Sequence, residues 1–269
     1  MIGCGAADLR PSRKRCSASM FTFGEALRNA VTAIPAAAGE MIRIGFMLPT
    51  DAATFTCARV LVVGDLVRRV LEDIHSTQVL AAAITNDCGA ADLARRCDLM
   101  VRPTIGTFAT QADAEVGLGK PLDLIVTVIG TQDEAAPPTP ALRVAPVHAT
   151  VPYPELDPAT VRFVLARAPY AQELEMTKSL LVDSHAVLEG WRDRLDQWSR
   201  HPSKPVPLDW RSEVIVALDT DLDVTQVVAV MSELEDSEAI EPGTKFEAFS
   251  YLDRVLAVDL ARNLGRVRR

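Results

Sequence analysis

Ile42 to Leu48 (IRIGFML) is a short, largely apolar run of the kind that forms a buried parallel strand. Pro49, Thr50 and Asp51 break it. Beyond them Val63, Leu66, Val67, Val70, Leu71 and Ile74 recur at helical spacing, with Arg68, Arg69, Glu72 and Asp73 on the other face. Thr54 and Thr56 are placed to cap this helix, so its start offers unpaired N–H groups and a positive dipole end to an anion. Gln78 to Ile84 (QVLAAAI) is a second apolar run, completing a βαβ unit with the helix over Ala58 to Ile74, and Asp123 to Ile129 (DLIVTVI) is a third. The order β-α-β-α-β predicts a parallel sheet that binds ligands at the carboxyl ends of its strands.

The pattern changes after Asp157. Leu174, Leu181, Leu188, Trp191, Leu195 and Trp198 fall on one stripe with helical spacing, the core face of a helix bundle. Ser199 to Leu208 (SRHPSKPVPL) is a proline-rich break. A helix follows from Asp209 to Leu218, Asp223 caps the next, and Thr244 opens the last. Ala135 to Pro154 is proline-rich and reads as a linker. The expected organisation is therefore an N-terminal extension over 1–40, an α/β domain over 41–134, a linker over 135–156 and an all-α helical bundle over 157–269.

Charge narrows the partners. The 269-residue chain carries a formal net charge of −8, which repels a phosphate backbone unless a basic patch overcomes it. The basic clusters are terminal, Arg13-Lys14-Arg15 and Arg262 with Arg266, Arg268 and Arg269, and read as solvated tails. No apolar run reaches the ~18 residues of a membrane span, and no secretory h-region follows the basic N-terminus. Five cysteines (Cys4, Cys16, Cys57, Cys88, Cys97), odd in number and without a CxxC, point to reduced thiols in a cytoplasm. Cys88 and Cys97 read as packing residues. Cys57 stands at a helix start, where a thiol's pKa falls, yet no histidine is near it in sequence. His75, His148, His185 and His201 are scattered and form no metal signature.

Dinucleotide and P-loop readings lack their glycine cradle, since there is no GxGxxG and no GxxxxGK(S/T). Ala58 to Glu72 (ARVLVVGDLVRRVLE) instead resembles the first catalytic-domain helix of the cysteinyl-tRNA synthetases and the related mycothiol cysteine ligases, and the similarity runs from about Ile42 to Leu260. Met47-Leu48-Pro49-Thr50 stands at the family's CGPT, and Thr54-Phe55-Thr56-Cys57 stands at HIGH. Ile84 to Cys97 is similar to ITDIDDKIIRRA. Gly117 to Glu134 is similar to HGGGSDLIFPHHENE and keeps Gly119 and Asp123. Leu156 to Met176, Ala217 to Leu234 and Phe249 to Leu260 are similar to YDPEALRYFLLSAHYRSPL, AMDDDLNTPEALAVLFEL and LDFDRVLGLGL. The resemblance implies a Rossmann-like parallel sheet of a class I synthetase catalytic domain followed by an all-α bundle. It also implies a candidate ligand pocket of Met47, Thr50, Thr54, Thr56, Cys57, Asp87, Gly119 and Asp123.

The departures bear on activity. In that family the HIGH histidines and the KMSKS lysines stabilise charge on ATP; Thr54 and Cys57 are no cations, and Val147 to Asp157 contains no lysine. Positions implied as zinc ligands fall at Met47 and near Val128 and Ile129, so no metal is expected. Met100 to Val116 is too short for the family's inserted domain. Losing a single electrostatic donor costs roughly 10²–10³ in rate. The expectation is a catalytically degenerate paralogue with no resident cofactor, binding a small molecule such as ATP or an aminoacyl-adenylate-like ligand, or another protein, but not tRNA or a membrane. The alternatives are a repurposed ATP-dependent cysteine or amino-acid ligase or transferase using the same pocket, and a structural subunit completed by its partner.

Overall fold

The computed structural model describes residues 19–24, 31–36, 41–50, 52–96, 99–129, 139–150 and 157–265. Cys4, Cys16, Asp51, Cys97 and the terminal basic clusters other than Arg262 lie outside them. Within 1–40, β1 (Ser19–Gly24) pairs antiparallel with β2 (Val31–Ala36).

Five parallel strands form the central sheet: β3 (Met41–Met47), β4 (Gln78–Ile84), β5 (Thr107–Phe108), β6 (Leu124–Val128) and β7 (Ala141–Val144). Their spatial order is β5-β4-β3-β6-β7. Counted along the sheet's own chain order this is 3-2-1-4-5, the doubly wound arrangement whose switch point falls between β3 and β6. The central strands are apolar because both faces are covered: all of β6 is buried, as are Ile42, Ile44, Phe46, Val79, Ala81 and Ala83. β7 lies inside the stretch read as a linker. Four residues with a buried-alternate pattern, Ala-Leu-Arg-Val, suffice for an edge strand even among prolines.

Helix α1 (Thr54–Arg69) connects β3 to β4 and is buried continuously from Phe55 to Val67. A helix apolar all round belongs in an interior, and α1 packs on β3 and β6 on one side and on later helices on the other. Gly64 lets it approach the sheet, since a Cβ there would stand 2.4 Å from the Phe46 ring. The helix loosens into a π-type turn over Val70–Ile74. There Glu72 and Asp73 pair with Arg102, Glu72 with Arg68, and Asp73 with Arg254. Two further helices flank the sheet, α2 (Cys88–Arg96) and α3 (Gln111–Leu118).

The C-terminal region is helical: α4 (Pro158–Arg167), α5 (Lys178–Trp198), α6 (Leu208–Asp219), α7 (Val224–Asp236), α8 (Pro242–Leu256) and a closing 3-10 turn over Leu260–Asn263. Leu181, Leu188, Trp191, Leu195 and Trp198 are buried on α5 as their spacing predicts. Trp191 packs edge-on against Phe163 and Phe249, and Trp198 edge-on against Phe249. Asp223 caps α7 by accepting from Gln226 N–H at 2.9 Å.

Three details differ from the pattern reading. Leu174 is not on the α5 stripe; it begins β9 (Leu174–Met176), which pairs in parallel with β8 (Val147–Ala149). Its buried–exposed–buried alternation is strand-like, and Thr177 caps α5 only afterwards. The last helix opens at Pro242 with Glu241 as its cap residue, one turn's edge before Thr244. Thr54 and Thr56 do not cap α1; the cap position is Ala53, with no side-chain bond.

The larger hydrophobic core among the described residues runs from Ile42 through α1 to Leu260, and a smaller one joins Ala82, Ile84 and Ile125 of the sheet to Ala114 and Leu118 of α3 and to Leu122. Charged groups are embedded in the larger one. Asp65 of α1 is fully buried and accepts from Arg162 Nη2 (2.7 Å) and Arg69 Nε (2.6 Å) at one oxygen, and from the Arg102 N–H (2.9 Å) at the other. Burial opposes ionisation, yet the Arg162 and Arg69 charges and these bonds hold its carboxyl below the usual range. Asp253 has the opposite fate. Burial pushes it up, although the N–H groups of Val258 and Leu260 bond its oxygens at 2.9 Å each.

Candidate functional site

In a parallel sheet every strand delivers its following loop to the same edge, so the sequence after β3 and β4 must meet at the carboxyl edge. Met47 pairs with Ile84 at that edge, and Leu48 N–H donates to Ile84 O at 2.9 Å. Met47 is half-buried, and Thr50 and Thr54 are exposed beyond it. Asp87 follows β4 and is half-buried. Its backbone N–H donates to Thr85 Oγ1 (3.1 Å), and its Oδ1 accepts the N–H of Ala90 at 2.9 Å in the first turn of α2. Met47, Thr50, Thr54 and Asp87 therefore occupy one edge of the sheet, beside the switch point.

Two other residues named for this pocket are turned into the core. Thr56 is buried, and its Oγ1 accepts the Val147 N–H at 3.0 Å, tying α1 to β8. Cys57 is buried with its Sγ 3.8 Å from Pro49 O. The backbone N–H groups of Thr56 and Cys57 both bond Ala53 O, at 2.8 and 3.1 Å. The Cys88 thiol, by contrast, is exposed at the start of α2.

Gly119 and Asp123 lie at the opposite, amino edge. Both precede β6, and a strand that enters a parallel sheet from that edge cannot carry its preceding residues to the other. Gly119 ends α3 in the left-handed conformation (φ 76°), the usual glycine stop. Asp123 is engaged with β3: its N–H donates to Arg43 O (2.9 Å), and its Oδ2 accepts the Arg43 N–H (2.8 Å). These two residues are a helix stop and a strand clamp.

Pattern reading passed over Arg59, one turn inside α1. It is fully buried and has no carboxylate partner among the described residues. Instead Nη1 donates to Ala145 O (3.1 Å) and Gln172 O (2.7 Å), and Nη2 to Ala168 O (3.3 Å) and Pro169 O (2.8 Å). Its Nε has no acceptor among the described residues. Desolvation lowers its pKa to about 10. The signal was present in the sequence as a cation within the apolar run Cys57 to Val63. Arg59 fixes the α4–β9 loop to the helix whose N-terminus faces the carboxyl edge. Arg59→Lys keeps the charge but offers three donors from a point instead of a planar fork. It is expected to cost about 1–2 kcal/mol, read as a lower urea midpoint at unchanged slope.

The carboxyl edge thus presents hydroxyls, one carboxylate and a helix N-terminus. Among the described residues no three His, Cys, Asp or Glu side chains converge as a metal site, and no helix is long and apolar enough to cross a membrane. No protein-family model matches this chain, and no curated protein matches it significantly.

Proposed function

We propose that the chain is a cysteinyl-tRNA-synthetase-like paralogue that has lost aminoacyl adenylation and uses the carboxyl edge of its sheet to hold a small ligand or a segment of a protein partner. The observation carrying this reading is the fate of the residues standing at HIGH. Phe55, Thr56 and Cys57 are buried in the core, and the Thr56 hydroxyl is engaged by the Val147 N–H. Thr54 alone of the four is exposed. Adenylation must offset the repulsion between an incoming carboxylate and the ATP phosphates, which requires donors aimed at the developing charge. Backbone N–H groups at a helix start hold an anion but bind ground state and transition state about equally, and so accelerate little. Met47, Val128 and Ile129, standing where the resemblance implies zinc ligands, offer a thioether and two hydrocarbon side chains, a poor set for a thiolate- and imidazole-binding ion.

The test is cysteine-dependent exchange of pyrophosphate into ATP, run beside a melting screen with ATP, cysteine, a non-hydrolysable cysteinyl-adenylate analogue and tRNA. Exchange is expected at background, with a melting shift from a phosphate- or carboxylate-bearing small molecule and none from tRNA. Turnover of about 1 s⁻¹ or faster, an ordinary enzyme rate, would refute the proposal.

A further inference from the structure

A cleft lies where the end of α4 and the loop after it meet the turn between α6 and α7, and Tyr170 on that loop accepts the N–H of Ala145, the residue after β7, at 2.8 Å. It encloses about 470 Å³, within the roughly 300–1,000 Å³ range of small-molecule sites. Pro169, Ala171, Leu222 and Val224 give it an apolar lining, and Arg167, Asp221 and Asp223 bring charges of both signs to it.

The walls are held in place. Arg59 bonds the carbonyls of Ala168, Pro169 and Gln172 from behind the floor. Buried Tyr170 donates its hydroxyl to Asp221 Oδ1. Thr225 Oγ1 donates to Arg167 O at 3.0 Å, which fixes the first turn of α7 against the end of α4. Asp221 and Leu222 both adopt the left-handed conformation (φ 62° and 54°) without being glycine, so this turn keeps an acidic side chain at the cleft where glycine would be the unstrained choice.

The polar groups left over have complementary signs. The Arg167 guanidinium is exposed and has no acceptor among the described residues. Asp223 uses Oδ1 to cap α7, and its Oδ2 has no donor among the described residues. A guanidinium and a half-engaged carboxylate lining one cleft, with the Tyr170-bonded Asp221 beside the carboxylate, match one kind of molecule. We infer that this cleft binds a small zwitterion of the amino-acid or dipeptide class, its carboxylate on Arg167 and its ammonium between Asp223 and Asp221. The inference uses none of the residues of the carboxyl-edge pocket, and the Arg167 and Asp223 substitutions below distinguish the two readings.

Calorimetric titration of the full chain with glycylglycine, glycyl-L-leucine and L-leucylglycine tests it. At least one dipeptide is expected to bind. Its N-acetyl form, lacking the ammonium, and its C-terminal amide, lacking the carboxylate, should each bind at least about tenfold more weakly, the weight of one such contact at about 1.4 kcal/mol per decade. Arg167→Gln should reduce the dipeptide to the level of its amide and leave the amide unchanged. Asp223→Asn, which retains a good capping side chain, should reduce it to the level of the N-acetyl form. Melting curves matching the parent establish that both variants fold. No heat with any of the three up to about 10 mM, a bound of under about 3 kcal/mol, would overturn the inference. Equal binding of the blocked forms, or binding untouched by both substitutions, would also overturn it.

Discussion

Arg162→Met is expected to lower stability by about 4 kcal/mol, within the 3–5 kcal/mol that follows when one member of a buried ion pair is removed. Arg162 is wholly buried on α4, and its three donor nitrogens reach three separate segments. Nη2 meets Asp65, Nε donates to Leu256 O at 2.5 Å, and Nη1 donates to Leu99 O at 3.0 Å. Methionine fills much of the volume but leaves two carbonyls without donors, and Asp65 with Arg69 as its remaining cation. The measurement is the urea midpoint with the slope held as a control on compactness.

The same variant should change the response to acid. The folded-state pKa of Asp65 lies below its unfolded value, so its stabilising contribution is complete above the unfolded pKa and is lost as pH falls through the folded one. Asp157, bonded by the Thr160 N–H and hydroxyl and by Arg262, is lowered for similar reasons although burial opposes it. Asp253, raised by burial, works the other way and adds stability as pH falls through its folded value. The parent should therefore resist acid until below the ordinary carboxylate range. Arg162→Met, with the Asp65 value restored upward, should begin to unfold at a higher pH.

Gly243→Ala is the second substitution with a large expected effect, about 3 kcal/mol, the upper end for a group forced into filled space. A Cβ at this position in the first turn of α8 would stand 1.8 Å from Pro202 O and 2.9 Å from Pro202 C. The obstacle is backbone, so no rotamer relieves it, and residues 202–204 must move off the helix. Thermal denaturation should show a lower midpoint. Gly190→Ala is the control: its Cβ on α5 meets nothing within 4 Å among the described residues, so a small gain from helix propensity is expected there.

The strands β3, β4 and β6 were readable because burial on both faces leaves an unbroken apolar run. The α5 stripe was readable because its tryptophans and leucines keep one face. β7 and β9 were not, since strands of four and three residues carry too few positions to display a period. The candidate site divided for a related reason. Met47, Thr50, Thr54 and Asp87 follow strands and share an edge, whereas Gly119 and Asp123 precede one, and a matched motif does not say on which side of its strand a residue falls. Thr56 and Cys57 were named because they stand at the family's HIGH tetrapeptide, and a matched tetrapeptide does not tell which of its side chains turn inward. The unbroken burial of α1 from Phe55 to Val67 decides that, and the carbonyl partners that admit Arg59 to it are scattered from Ala145 to Gln172.

Helix α1 belongs to both parts of the molecule at once. Its inner side completes the sheet's core, and its outer side receives α4, β8 and α8, with Asp65 and Arg59 fastened to the chain beyond it. There is accordingly no plane along which sheet and helices can swing apart, because any such motion would strip α1 of one of its two coats. A ligand at the carboxyl edge cannot be answered by closure of two halves. The response must come from short loops moving against a stationary helix, so bound and unbound forms should superpose through α1 and differ only at the rim.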